Sequence, residues 1–112
     1  MLEMKYYDRE GNLITLTEWA DKISNVFYSR VAVKQLGDFH ISTVWLGMDQ
    51  NYVNHILRDF RPRFFETMVF YGREGQHNWT MKYCNRYSTI GEARSGHALT
   101  IEMVKSGAFQ PN

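Results

Sequence analysis

Apolar residues along this chain recur with two different periods. Val31 and Val33 alternate with Arg30, Ala32 and Lys34, and after a Gly37-Asp38 turn Phe39, Ile41, Thr43 and Trp45 alternate with His40, Ser42, Val44 and Leu46. A period of two is that of a half-buried strand, and so short a turn makes the strands over 28–36 and 39–46 antiparallel neighbours. Aromatic and β-branched content predicts two more strands, Phe65 to Tyr71 and Thr80 to Tyr87, with a long polar hairpin loop over 72–78 between them. Lys5 to Tyr7 and Leu13 to Leu16 are short β-prone runs on either side of Asp8-Arg9-Glu10-Gly11-Asn12, which makes an opening hairpin.

A helical period takes over in three places. Thr15-Leu16-Thr17-Glu18 fits a capping box, and Trp19, Ile23, Val26 and Phe27 follow at helical spacing, so a helix of about two to three turns is expected over one end of the sheet. From Asn51, apolar Val53, Ile56, Leu57 and Phe60 recur at i, i+3, i+4 and i+7 until Pro62 stops the run. That helix would form a lid-like insertion. Thr89-Ile90-Gly91-Glu92 opens the last one, which runs through Ala93, His97, Ile101 and Val104 to Gly107 as its C-cap. The expected fold class is α+β, a single domain over 1–112: an antiparallel sheet of about six strands, with a short N-terminal helix and a longer C-terminal helix packed on one face. Aromatics of the other face, with Tyr71, Tyr83 and Tyr87 as candidates, would then stay exposed in a monomer. A homo-oligomer is expected to cover them.

Composition adds limits. At 112 residues and 44% apolar the chain can bury roughly two-thirds of its unfolded surface without a staple. A net charge of +1 lacks the basic excess of a non-specific duplex binder. The charge is uneven, because Arg58, Arg61, Arg63, Arg73, Lys82, Arg86 and Arg94 all fall in the second half, which suits a small anionic ligand or an acidic patch on a partner. A lone Cys84 forms no intramolecular disulfide, and no apolar run approaches the ~20 residues of a membrane span. A soluble protein of the reducing cytoplasm is expected.

Catalytic chemistry has no evident carrier. His40, His55, His77 and His97 show no metal-ligand spacing, so no metal and no cofactor are expected. Ser42, Thr43 and Cys84 are nucleophiles by residue type alone. Asp49, Asp59 and Glu66 offer carboxylates for an acid/base pair, but structural roles are favoured, Asp49 as a helix N-cap and Glu66 as a strand ion-pair partner. Arg58, Arg61 and Arg63 followed by Phe64 and Phe65 offer guanidinium forks beside flat rings, as a nucleotide needs, or else a solvated basic helix end. Arg86-Tyr87-Ser88-Thr89 leads into the last helix, where free N–H groups attract an anion unless Thr89 merely caps them.

Taken in order, YYDREGNLITLTEW, HISTVWLGMDQNY, FFETMVFYG and RYSTIGEARSGH resemble a family of small proteins common in bacteriophage genomes, over roughly residues 6–97. Among these the chain is similar to the Thoeris anti-defence sponge family. The resemblance implies a homo-oligomer in the host bacterial cytoplasm that binds and sequesters a cyclic ADP-ribose-type signal, and in some members a cyclic oligonucleotide, without cleaving it. It also implies a ligand site built by Asp49, Asn51, Tyr52, Arg63, Phe65, Arg86 and Thr89. Gln50 departs from the family pattern, which carries His after the Asp, and this puts a ligand role for position 50 in question. The competing expectation is an inhibitor that blocks a host defence protein by direct contact through an exposed aromatic sheet face.

Overall fold

The computed structural model describes residues 4–49, 61–73 and 79–111. In chain order these form β1 (Tyr6–Tyr7), β2 (Leu13–Ile14), α1 (Leu16–Ile23), α2 (Val26–Ser29), β3 (Arg30–Leu36), β4 (Phe39–Trp45), β5 (Phe65–Tyr71), β6 (Thr80–Tyr87) and α3 (Ile90–Lys105). The architecture is α+β with six strands, but they make two sheets and not one: a β1-β2 hairpin and a four-stranded antiparallel sheet in the order β3-β4-β5-β6. The backbone of the hairpin meets the chain beyond the end of β4, through a bridge between Tyr6 and Met48 and a 2.8 Å bond from the Tyr7 N–H to the Gly47 carbonyl. Gly47 has a φ of +73°, and a Cβ there would run into the rings of Trp19 and Trp45. Only glycine lets the strand leave the ladder here. The expected helix over 51–60 and the loop tip over 74–78 lie outside the described residues.

Thr15 caps α1 with a full capping box, its Oγ1 accepting the Glu18 N–H at 3.1 Å while Glu18 Oε1 accepts the Thr15 N–H at 3.1 Å. The helix ends sooner than the periodicity suggests. Asn25 has extended backbone and caps a second helix by accepting the Phe27 N–H at 3.0 Å, so Val26 and Phe27 belong to α2 and stand exposed. Local side-chain capping has overridden the apolar period.

A bulge breaks the alternation of β3. Arg30 pairs with Val44 and Ala32 with Thr43, so Val31 is the extra residue. Val31 consequently packs inward against the core, whereas Val33 points out on the other side. A second bulge, between Val69 and Phe70, leaves Lys82 extra on β6 and puts Tyr83 and Met81 on opposite faces.

α3 lies against all four strands, on the face of Ile41, Thr43, Trp45, Phe65, Thr67 and Val69. Tyr87 is buried there, Tyr83 packs at a tilt near Phe109, and Tyr71, in register with Phe39, shares that face, so none of the three is an exposed aromatic of the opposite face as the sequence suggested. The bulges and the register put Val33, Phe70 and Met81 on that opposite face, with the Trp79 ring tilted against those of Phe70 and His40. α3 ends in a Schellman motif, with the Ala108 N–H bonding the Met103 carbonyl and the Gly107 N–H bonding that of Val104.

The apolar core sits at one end of the sheet. Trp45, Phe64, Phe65, Tyr87 and Ala93 form its centre, and Tyr7, Ile14, Trp19, Ile23, Tyr28, Val31 and Ile90 close around it. Trp45 donates to the Tyr7 carbonyl at 3.0 Å and Trp19 to that of Leu46 at 2.9 Å, so both indoles pin the hairpin and α1 to the end of β4. Gly96 lets α3 settle on the Tyr87 ring, because a Cβ at 96 would overlap Oη, Cζ and Cε1 of Tyr87. On a free helix Gly96→Ala would gain about 1 kcal/mol. Here we expect it to destabilise the protein by about 1–3 kcal/mol through overpacking, read as a lowered urea midpoint; an unchanged or raised midpoint would show that α3 does not rest on Tyr87.

Candidate functional site

Trp45, Phe65 and Tyr87 are in register across β4, β5 and β6, so the chain leaves β4, enters β5 and leaves β6 at the same end of the sheet. The ladder continues one residue further, with Leu46 N–H on the Phe64 carbonyl at 2.7 Å and Phe64 N–H on that of Tyr87 at 3.0 Å. Asp49, Arg63, Arg86 and Thr89 therefore come from separate parts of the sequence to one end of the fold. Asp49 Oδ1 accepts the Arg63 N–H at 3.0 Å and closes the base of the insertion between β4 and β5.

Tyr7 joins this pair. Its ring stacks on Phe64 at 5.1 Å and 13°, and burial together with the Asp49 carboxylate pushes its hydroxyl above the ordinary tyrosine range. Sequence reasoning missed Tyr7 because its position depends on the hairpin docking beside Gly47, a contact with no local signature. A ring, a carboxylate and an arginine backbone are thus gathered where the insertion begins and ends.

The other expected ligand residues have structural duties. Phe65 is fully buried, its ring 5.0 Å from that of Phe64, so it serves the core and offers no face to a ligand. Arg86 Nε donates to Glu66 Oε2 at 3.0 Å on the sheet face away from α3. Thr89 Oγ1 accepts the Glu92 N–H and donates to Glu92 Oε1, each at 3.1 Å. With that cap made and an acidic side chain in the first turn, the start of α3 already has its counter-charge. Asn51 and Tyr52 lie outside the described residues.

Two further groups bear on chemistry. Thr43 Oγ1 stands 2.7 Å from His97 Nδ1, the separation of a nucleophile and its base, yet it also meets Thr67 Oγ1 at 2.6 Å and is fully buried under α3. That pair clasps helix to sheet. Cys84 is exposed on the edge strand and not a small core residue, and its thiol is held above the usual range by partial burial and by the Glu66 carboxylate. A raised thiol is a poor nucleophile at neutral pH.

Among the described residues no three His, Cys, Asp or Glu side chains converge to hold a metal, and no helix is long and apolar enough to cross a membrane. Compared with family models, curated proteins and solved structures, the chain matches none.

The Glu66 side chain is only 11% exposed while that of Arg86 is 44% exposed, so removing the guanidinium strands a carboxylate that water barely reaches. Discounted for the open side of Arg86, Arg86→Ala is expected to cost about 1–2 kcal/mol. The double change Glu66→Gln with Arg86→Ala should recover part of that loss. A double-mutant cycle in urea measures the coupling, and strict additivity would refute it.

Proposed function

We propose that this protein is a non-enzymatic bacteriophage sponge that binds and sequesters a cyclic ADP-ribose-type immune signal, or a cyclic oligonucleotide, in the cytoplasm of the host bacterium. The observation that carries this reading is the meeting of Tyr7, Asp49 and Arg63 at the base of the insertion. An aromatic face takes an adenine, a carboxylate accepts ribose hydroxyls, and a guanidinium fork pairs with a pyrophosphate. Support also comes from the STVWLG and FETMVF segments, which flank this base and carry the family resemblance. Capture without turnover calls for binding groups held in place, and Tyr7 is held through both its backbone N–H and its carbonyl. Homo-oligomerisation belongs to the same proposal.

A second reading rests on a different surface. Val33 (42% exposed), Met81 (53%) and Trp79 (39%) stand on the sheet side opposite α3. Such a face suits direct contact with a host defence protein.

A sponge must bind near the concentration of its signal, and a dissociation constant of ~10 nM corresponds to about −11 kcal/mol. Isothermal titration with cyclic ADP-ribose should give heat, and intact nucleotide should be recovered after heat denaturation. Arg63→Ala should weaken binding about ten- to a hundredfold, the worth of one charge-assisted contact, and Tyr7→Ala should weaken it more than Tyr7→Phe. Absence of heat across cyclic ADP-ribose isomers and cyclic oligonucleotides, or cleaved nucleotide, would end the sponge reading. If Val33→Asp with Met81→Asp abolishes recovery of a stoichiometric host partner while no nucleotide binds, the contact reading stands instead.

A further inference from the structure

We propose that His97 is an acid-sensitive latch, whose protonation lets α3 leave the sheet. The latch is a short chain of polar atoms inside the apolar layer between helix and sheet. Thr67 Oγ1 on β5 lies 2.6 Å from Thr43 Oγ1 on β4, which lies 2.7 Å from His97 Nδ1 on α3. Both threonines are fully buried and His97 is 7% exposed. With neutral imidazole, one hydroxyl proton serves each link and no charge is buried. An imidazolium must place a full positive charge in the same space, where hydroxyl dipoles are its nearest compensation.

Among the described residues the surroundings offer no countercharge. On the face that receives α3, β4 contributes Phe39, Ile41 and Trp45 besides Thr43, and β5 contributes Phe65, Val69 and Tyr71 besides Thr67. The charged or titratable groups there are Lys34 on β3, paired opposite Ile41, Tyr71 on β5, and Tyr83 and Tyr87 on β6, with the bulge residue Lys82 bringing its ammonium over the Tyr71 ring. One turn away on α3 itself stand Ala93, Arg94, Thr100 and Ile101. Among the described residues this set holds three cations, three phenols and no carboxylate. Burial accordingly holds the His97 imidazole below its ordinary range.

The direction of the pH effect follows. With the folded value below the unfolded one, the unfolded chain takes up a proton first as pH falls. The stabilisation is complete above the unfolded value of 6.5 and drains away as pH drops from there towards the folded value. Full coupling weakens the folding equilibrium by up to about tenfold per pH unit within that window. Carboxylate protonation lies below it, so the range between about pH 6.5 and 5 reports the histidines.

Amide hydrogen exchange of the full chain tests the latch. The α3 amides should lose protection between pH 6.5 and 5 by more than the β4 and β5 amides do, after correction for intrinsic exchange. His97→Gln, which keeps a hydrogen-bonding group and does not titrate, should flatten that loss. An equal loss in the variant overturns the proposal. If the variant does not fold, NMR titration of the wild-type His97 imidazole decides: it must protonate below the ordinary histidine range, in step with the loss of α3 protection. An ordinary His97 titration with α3 protection intact overturns it too.

Discussion

The fold depends on how closely α3 approaches the sheet. Two contacts set that distance: the Tyr87 ring lies against the bare backbone of Gly96, and the Thr43 hydroxyl reaches His97 on the next residue of the helix. A larger residue at 96 would lift the helix, and a lifted helix would leave Thr43 and His97 apart. Steric allowance and hydrogen bonding therefore enforce one seat. The apolar groups beneath, Ile41, Val69 and Phe65, are sealed from water because that seat is taken. The Tyr87 hydroxyl itself is buried with no hydrogen-bond partner. We read that as the consequence of a ring placed for its shape.

The opposite end of the same core holds the hairpin. Trp45 reaches through to the Tyr7 carbonyl, Tyr28 meets Trp45 edge-on at 4.9 Å, and the Tyr28 hydroxyl accepts the Arg9 N–H at 2.8 Å. β1 and β2 are only two residues each, too little to persist as an isolated ribbon. Docking on the aromatic core is what orders them. The candidate site inherits its rigidity from this arrangement, since Tyr7 stacks on Phe64, and Phe64 is backed by Phe65. The residues that hold the site are thus the residues that hold the fold, which is why Phe65 serves the site only indirectly.

Polar groups on the far side of the sheet follow a different logic. Glu66 and Arg86 pair across neighbouring strands, Asp38 and Arg73 pair at the opposite end at 3.4 Å, and apolar Val33 and Met81 lie exposed on the same side. An antiparallel sheet tolerates one wetted face, and cross-strand ion pairs are a normal way to furnish it. The apolar residues among them are the ones on which the contact reading rests.

Local rules were enough to locate most elements from the sequence. The four long strands, the Gly37-Asp38 turn, the Thr15 box, the Thr89 cap and the Gly107 stop each depend on residues within a few positions of one another, and the structure has them where those residues predict. Tertiary structure decided what two distant segments do to each other. The bulges that send Val31 in and Val33 out arise from pairing with β4, and no alternation within β3 announces them. The division into two sheets depends on where the hairpin lands, and the roles of Phe65, Arg86 and Thr89 depend on which neighbours reach them first. The sequence by itself determined which side chains could bind an anion or stack a base. Packing determined which of them were already engaged, because burial and hydrogen-bond partnership belong to the folded surroundings and not to the residue type.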